Sequence, residues 1–156
     1  MVTSTSALTV QTFEIAKEEK IAAPIEIVFE TLLEHLGPDF APAEGASLHM
    51  RLEPWPGGRW YRDLGSNTGH LWGHVQVIKP PTLLEIWGPL AMSYPALSHV
   101  QYRLTADGGG TRLSFVHRAM GYAPEQREGA AEGWGRVLAS VREQAERRNR
   151  SRGETR

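Results

Sequence analysis

The stretch at residues 54–84 is dense in tryptophan, glycine and proline, and it constrains the fold more than any other part of the chain. Two runs of apolar and aromatic residues are separated by a polar turn at 65–69, and Pro80-Pro81 ends the second run. Such punctuation is typical of short antiparallel strands joined by turns. The stretch therefore predicts one sheet that is rich in tryptophan, and it carries Trp55, Trp60 and Trp72, with Trp87 just beyond. A sheet of this kind either packs a large core or lines an apolar pocket.

The rest of the chain supplies further strands and two helices. Alternating or β-branched patterns predict strands at 10–21, 47–53, 59–64, 70–79, 82–87, 98–104 and 111–118. Apolar residues at helical spacing predict a helix from Pro24 to Leu36. A second helix is expected to begin near Pro124 and to run to about Arg148. Its apolar stripe contains Ala130, Trp134, Val137, Leu138, Val141 and Ala145.

This order predicts an α+β fold in which a curved antiparallel sheet wraps a long C-terminal helix. One helix cannot fill the whole concave side of such a sheet, so a cavity between helix and sheet is expected. The first half of the helix contains Gly129, Gly133 and Gly135. Each glycine inside a helix costs roughly 0.5–1 kcal/mol, which is tolerated where another group approaches closely or where space must be left.

Composition bounds the class of protein. The 156 residues suit one domain, which we expect to span 10–148, between a flexible leader at 1–9 and a basic flexible tail at 149–156. The net charge of −1 gives no field that would favour nucleic acid or an anionic membrane. The chain has no cysteine, which excludes disulfides and zinc–thiolate sites and suits a reducing cytoplasm. No apolar run approaches the ~20 residues of a membrane span.

The motifs that suggest a metal or a phosphate have structural explanations. His70 and His74 have the spacing that binds zinc on a helix, but their segment is predicted as a strand. At ~3.3 Å per residue the two side chains would lie about 13 Å apart, too far for one ion. The triplet Gly108-Gly109-Gly110 precedes a strand and is predicted as a hairpin turn, not a phosphate loop. We therefore expect neither a metal nor a cofactor.

His117 is the polar residue of greatest interest. Its alternation with Leu113 and Phe115 places it on the apolar face of a strand, where a buried imidazole needs a partner. It is interpreted as a core histidine, as a polar anchor for a ligand or as a catalytic base, although no carboxylate can be placed beside it. The many aromatic residues of the chain have two interpretations: they pack the core or they line a pocket. The candidate ligand-binding residues are Trp60, Trp87, Tyr94, Tyr102, Phe115, His117, Trp134 and Leu138.

Several segments together resemble a known superfamily. They are Ile21-Ala-Ala-Pro-Ile-Glu-Ile-Val-Phe-Glu, the turn Gly57-Gly58-Arg59-Trp60, Trp72-Gly-His-Val through Pro80-Pro81, Gly109-Gly110-Thr111 through His117, and Glu132-Gly133-Trp134 leading to Leu138. In order and spacing they resemble the START/polyketide-cyclase/Bet v-type (SRPBCC) superfamily with its helix-grip fold. The similarity is greatest to the bacterial branch related to the activator of heat-shock protein 90 ATPase, and it covers about residues 10–146.

The resemblance implies a domain that binds an apolar or aromatic small molecule, and we expect no catalysis. Two alternatives are a cyclase-like or hydratase-like enzyme that uses His117, and a co-chaperone-like partner of a heat-shock protein. A homodimer is left open as well. The stretch between Leu33 and Ser47 departs from the commoner family pattern, in which a tryptophan often follows the first helix. That loop borders the pocket mouth in relatives, so the identity of the ligand does not follow from the resemblance.

Overall fold

The computed structural model describes residues 2–43, 45, 47–122 and 129–154, and within them the chain forms one antiparallel sheet and two helices. The elements are β1 (Gln11–Ile21), α1 (Ile25–His35), β2 (Met50–Leu52), β3 (Arg59–Gly65), β4 (Thr68–Lys79), β5 (Leu83–Gly88), β6 (Ala96–Asp107), β7 (Gly110–Gly121) and α2 (Ala130–Glu154). The seven strands lie in the order β1-β7-β6-β5-β4-β3-β2, and every neighbouring pair is antiparallel. The predicted helix-grip fold is confirmed.

One face of the sheet is apolar because β6 and β7 alternate between buried and more exposed residues. In β6 the residues Val100, Tyr102 and Leu104 are buried, and their neighbours along the strand are more exposed. Phe115 lies opposite Tyr102 on β7 and belongs to the same face. Successive side chains of a strand point to opposite faces, so this alternation produces one buried and one wet side.

Helix α2 covers the buried face with the predicted stripe. Trp134, Val137, Leu138, Val141 and Ala145 are all buried in the same cluster as the inner residues of the sheet. The stripe repeats every three or four residues, so it stays on one side of the helix from Trp134 to Ala145. The predicted packing of Trp134 and Leu138 in the core formed with the sheet is therefore confirmed.

Some predicted boundaries are wrong. The strand predicted at 47–53 begins only at Met50, because His49 has a φ of 52° and cannot continue an extended strand. Gly129 also has a positive φ, 80°, and lies before α2 instead of inside it. The predicted helix start at Pro124 falls outside the described residues.

Helix α2 also extends further at its C-terminal end than predicted. The helix continues to Glu154 and does not end near Arg148. Asn149 donates a hydrogen bond to the carbonyl of Ala22, and Arg152 lies 3.5 Å from Glu30 of α1. The basic side chains that suggested a loose tail from residue 149 thus meet the first helix, whose exposed side is acidic.

A buried hydroxyl joins β7 to the segment that enters α1. Thr111 is 2% exposed, and its Oγ1 donates a 2.8 Å hydrogen bond to the carbonyl oxygen of Ala23. We expect Thr111→Val to lower the free energy of unfolding by about 1–3 kcal/mol, because the shape is kept and a buried acceptor loses its donor. Chemical denaturation measures the change.

Thr82→Val is the matched control for this prediction. The Thr82 hydroxyl donates to the carbonyl of Lys79 in an exposed turn, where water can replace it. We expect this variant to stay within about 0.5 kcal/mol of the wild type. Equal losses in the two variants would show that the buried bond contributes nothing of its own.

Candidate functional site

An apolar pocket of about 360 Å³ lies where the first turns of α2 meet the sheet and two loops. Its volume falls near the lower end of ligand sites. The loop that follows α1 contributes one wall and the loop between β5 and β6 another. The lining residues are Phe13, Phe40, Pro42, Trp72, Leu90, Ala91, Met92, His117, Gly129, Ala130, Gly133 and Trp134.

His117 joins the sheet to the helix through both of its ring nitrogens. The indole Nε1–H of Trp134 donates a 3.0 Å hydrogen bond to His117 Nδ1. On the other side, His117 Nε2 lies 2.9 Å from Ser98 Oγ. An indole nitrogen can only donate, so Nδ1 is the acceptor and the ring proton resides on Nε2, which donates to Ser98. Ser98 is fully buried and His117 is 4% exposed.

The environment of His117 keeps its imidazole neutral. Burial lowers its pKa from 6.5 to about 4, since the charged form loses its hydration. Protonation of Nδ1 would also place its N–H opposite the indole N–H of Trp134, and two donors cannot form a hydrogen bond with each other. Phe13 packs edge-on against the imidazole at 5.0 Å between ring centroids. His117 therefore acts as a neutral connection between β7 and α2.

Aromatic rings form a continuous cluster beside this histidine. Trp134 lies 4.6 Å from Phe115 and 6.2 Å from Phe40, measured between ring centroids. Phe40 contacts two more rings edge-on, Trp60 at 5.3 Å and Trp72 at 5.6 Å. Edge-to-face packing at these distances is favourable beyond simple burial. The cluster is both the core under α2 and the inner wall of the pocket.

The structure brings two of the predicted ligand-binding residues, His117 and Trp134, to the pocket lining. The others are not among the lining residues. Four of them are buried where α2 packs directly on the sheet, and these are Trp60, Tyr102, Phe115 and Leu138. Tyr94 is half-buried beside Met92, next to the pocket.

Trp87 is placed on the opposite side of the sheet from the pocket. It is 45% exposed, and its ring lies 6.1 Å from that of His74. Its neighbours on β5, Ile86 and Gly88, are buried, so alternation turns Trp87 outward. The expectation that Trp87 lines the pocket is therefore wrong.

Several lining residues were not predicted. Phe40 and Pro42 come from the irregular segment after α1, and Leu90 and Met92 from the loop after β5. Neither loop has a periodicity that would assign its apolar residues to a face. A large apolar residue such as Phe40, isolated among prolines and a glycine, was the one available signal.

Among the described residues, His117 is the one titratable side chain that lines the pocket. Across the described residues, no three His, Asp or Glu side chains form a group that could hold a metal ion. His74 is bonded at 3.1 Å to the carbonyl of Gly57, on the β3–β4 side of the sheet. Within the part of the chain that the structure describes, no helix has the length and apolar character needed to cross a membrane.

One known protein family matches most of the chain. The model of the family described as "Activator of Hsp90 ATPase homolog 1-like protein" matches residues 22–146. The chain belongs to this family. This match also confirms the predicted SRPBCC superfamily. None of the curated proteins matches the chain in sequence.

Solved structures with the same fold include an uncharacterised protein from Rhizobium leguminosarum. It is 20% identical with a TM-score of 0.70, over 91% of this chain and 99% of that one. The Aha1 dimer from Colwellia psychrerythraea is 14% identical with a TM-score of 0.61, over 86% of this chain and 96% of that one. Ara h 8.0201 is 17% identical with a TM-score of 0.60, over 88% and 98% of the two chains. At these identities the likeness establishes the fold alone.

The lowered pKa of His117 predicts a pH dependence of stability. Between about pH 6.5 and pH 4 the unfolded chain binds a proton at His117 that the folded chain does not bind. The free energy of unfolding should therefore fall as the pH is lowered through this window, by roughly 3 kcal/mol in total. Denaturant titrations at half-unit pH intervals measure this slope.

His117→Gln is the control for the pH prediction. Its amide oxygen can accept from Trp134 and its amide nitrogen can donate to Ser98, but it does not titrate. The variant should lose most of the slope that the wild type shows. Burial also lowers the pKa of His35, so the difference between the two proteins, and not the absolute slope, reports His117. Identical slopes would contradict a buried neutral His117.

Proposed function

We propose that this protein binds an uncharged apolar or aromatic small molecule in the pocket beside Trp134 and His117. The lining is made of aromatic, aliphatic and glycine residues, with His117 as its single titratable side chain among the described residues. Sites for small molecules in proteins are mostly apolar and carry few polar groups. The family match supports a small ligand-binding or co-chaperone-like domain.

The observation that carries the proposal is the engagement of both His117 nitrogens. A general base needs a free lone pair at hydrogen-bond distance from the proton that it removes. In His117 the lone pair of Nδ1 accepts from Trp134, and Nε2 carries the proton that goes to Ser98. The histidine thus fixes the position of Trp134 in the pocket wall. This arrangement favours a binding protein over the cyclase-like or hydratase-like alternative.

The enzyme alternative has a direct test with His117→Leu. A binding protein should keep its fold in this variant and change its ligand affinity by about 5–100-fold, since Trp134 and Ser98 lose their partner. Turnover of a substrate by the wild type that falls by several orders of magnitude in His117→Leu, with binding intact, would establish the enzyme instead.

A co-chaperone-like role is the second candidate, because the matching family is named for an activator of Hsp90 ATPase and one similar fold is Aha1. The Aha1 structure is a dimer, which also supports a homodimer for this chain. A pull-down with purified heat-shock protein 90, with the effect on its ATPase rate, tests the role. Sedimentation analysis tests the dimer.

The proposed binding is tested first without choosing a ligand. Native mass spectrometry of freshly purified protein should show an additional small-molecule mass, and extraction would reveal its chemical class. Addition of a hydrophobic dye should change the intrinsic tryptophan fluorescence, because Trp72 and Trp134 line the pocket. A protein that carries no adduct and binds no apolar probe would contradict the proposal.

Two helix glycines give a sharper prediction. A Cβ at Gly133 would find its nearest atoms in Pro42 at 3.5 and 3.6 Å, so Gly133→Ala fits and extends into the pocket. The change should raise the free energy of unfolding by about 0.5–1 kcal/mol, since alanine favours the helix. It should weaken the binding of the dye, because it occupies pocket volume. Denaturation and fluorescence titration measure the two effects.

Gly135→Ala is the matched control. Its Cβ would meet only the end of Lys17, at 3.6 Å, and Gly135 does not line the pocket. The same gain in stability is expected with no change in dye affinity. Equal effects of both variants on dye binding would mean that the dye binds elsewhere.

A further inference from the structure

Three buried tryptophans of the aromatic cluster differ in their hydrogen bonds. Trp60 Nε1 donates to the carbonyl oxygen of Leu36 at 2.7 Å, and Trp134 Nε1 donates to His117 Nδ1. Trp72 is equally enclosed, at 7% exposure, and lines the pocket. Its Nε1 is buried and has no hydrogen-bond partner among the described residues. Buried polar groups without a partner are rare in native proteins, and each one requires an explanation.

Among the described residues, three rings lie edge-on to the Trp72 indole, and the most distant is His70, on the same strand, at 6.4 Å. The ring of Trp60 lies 5.1 Å from the indole and that of Phe40 lies 5.6 Å from it. Trp60 belongs to β3 and is fixed by its own bond to Leu36. Phe40 comes from the loop after α1 and lines the pocket together with Trp72. Of the described rings that contact Trp72, Phe40 is therefore the one that lies on a loop and not on a strand.

The backbone of this loop is held by turn hydrogen bonds, and the ring of Phe40 is held by its contacts with Trp60, Trp72 and Trp134. The amide of Phe40 donates to the carbonyl of Gly37 at 3.0 Å, and the amide of Leu48 donates to the carbonyl of Phe40 at 3.1 Å. Pro42, on the same loop, faces Gly133 of α2, where an added Cβ would lie 3.5 Å from it. Such turn contacts open at lower free energy than the ladder of a central strand.

We propose that the indole N–H of Trp72 is the hydrogen-bond donor for the ligand, and that Phe40 stands in the place of the ligand's aromatic ring. The inference rests on the proposed function and adds a ligand class to it. The ligand is a planar aromatic molecule with one uncharged acceptor oxygen, such as an aromatic ketone. No charged side chain among the described residues lines the pocket, so an ionised group would find no opposite charge among them.

A comparison of indane with 1-indanone isolates the contribution of the Trp72 N–H to affinity from the contribution of the rest of the pocket. The two probes have nearly the same shape, and only 1-indanone has an acceptor. We expect Trp72→Phe to weaken binding of 1-indanone about tenfold more than binding of indane, because a lost hydrogen bond to a neutral group has about this effect. Indane and 1-indanone differ in hydration, but this difference is the same in titrations of the wild type and of the variant. It therefore cancels when the affinity ratios of the two proteins are compared. Isothermal calorimetry or fluorescence titration gives the four affinities.

Trp60→Phe is the matched control, because it removes an indole N–H that already has a protein partner. It should reduce stability without changing the ratio of the two affinities. Wild-type protein provides a measurement that needs no variant. In a ¹⁵N–¹H spectrum of the five tryptophan indoles, 1-indanone should shift the Trp72 signal more than the others, and indane should not.

Phe40→Ala tests the second half of the proposal. If Phe40 occupies the place of the ligand ring, its removal should strengthen binding of both probes by about tenfold, and the effect of Trp72→Phe should persist in this background. Phe40→Leu keeps most of the volume and should behave like the wild type. Unchanged or weaker binding in Phe40→Ala would overturn the placement of the ligand at Phe40.

The outcomes also distinguish this inference from the proposed function. If both probes bind and the Trp72→Phe ratio is unchanged, the pocket binds apolar molecules and the role of Trp72 is wrong. If neither probe nor any apolar dye binds the wild type or Phe40→Ala, the proposed function itself fails. A Trp72-dependent ratio together with tighter binding in Phe40→Ala supports both.

Discussion

The structure depends on one requirement: the apolar face of a seven-stranded sheet must be kept dry by one long helix, α2, with the short helix α1 packed beside it. Helix α2 meets this requirement with a stripe from Trp134 to Ala145. At the start of the stripe, the bond from Trp134 to His117 ties the helix to β7. Because indole and imidazole are both buried there, each must be satisfied by the other. This contact determines the tautomer of His117. It also fixes the start of the helix against β7 and places Trp134 in the pocket wall.

The aromatic cluster is a consequence of the same geometry. Large rings span the space between a curved sheet and one helix better than aliphatic side chains do, and edge-on contacts let them fill it from different directions. The cluster is therefore core along most of α2 and becomes pocket wall only near Trp134 and Phe40, where two loops replace direct packing. The pocket at this end needs no additional structural element, because the fold leaves this space between the helix, the sheet and the two loops.

Much of the fold could be predicted from the sequence because its signals are local. Alternation in Val100–Leu104 fixed the inner face of β6, and the stripe on α2 fixed its packing side. Pairing of consecutive strands by short turns left little choice of topology. The site was less predictable. His117 and Trp134 were found, since both follow a periodicity, but Trp87 was assigned to the wrong face although alternation with Ile86 would have turned it outward.

The sequence by itself determined the order of the elements, the antiparallel sheet, the family and the faces of the regular segments, because these follow from patterns within a few residues. Only the tertiary structure decided which aromatic residues reach the pocket, because that depends on loops without periodicity and on contacts between distant segments. It also decided the partners of the three indoles. Trp60, Trp72 and Trp134 are the same residue type in similar surroundings. A carbonyl accepts from Trp60 and an imidazole accepts from Trp134, whereas Trp72 has no acceptor among the described residues.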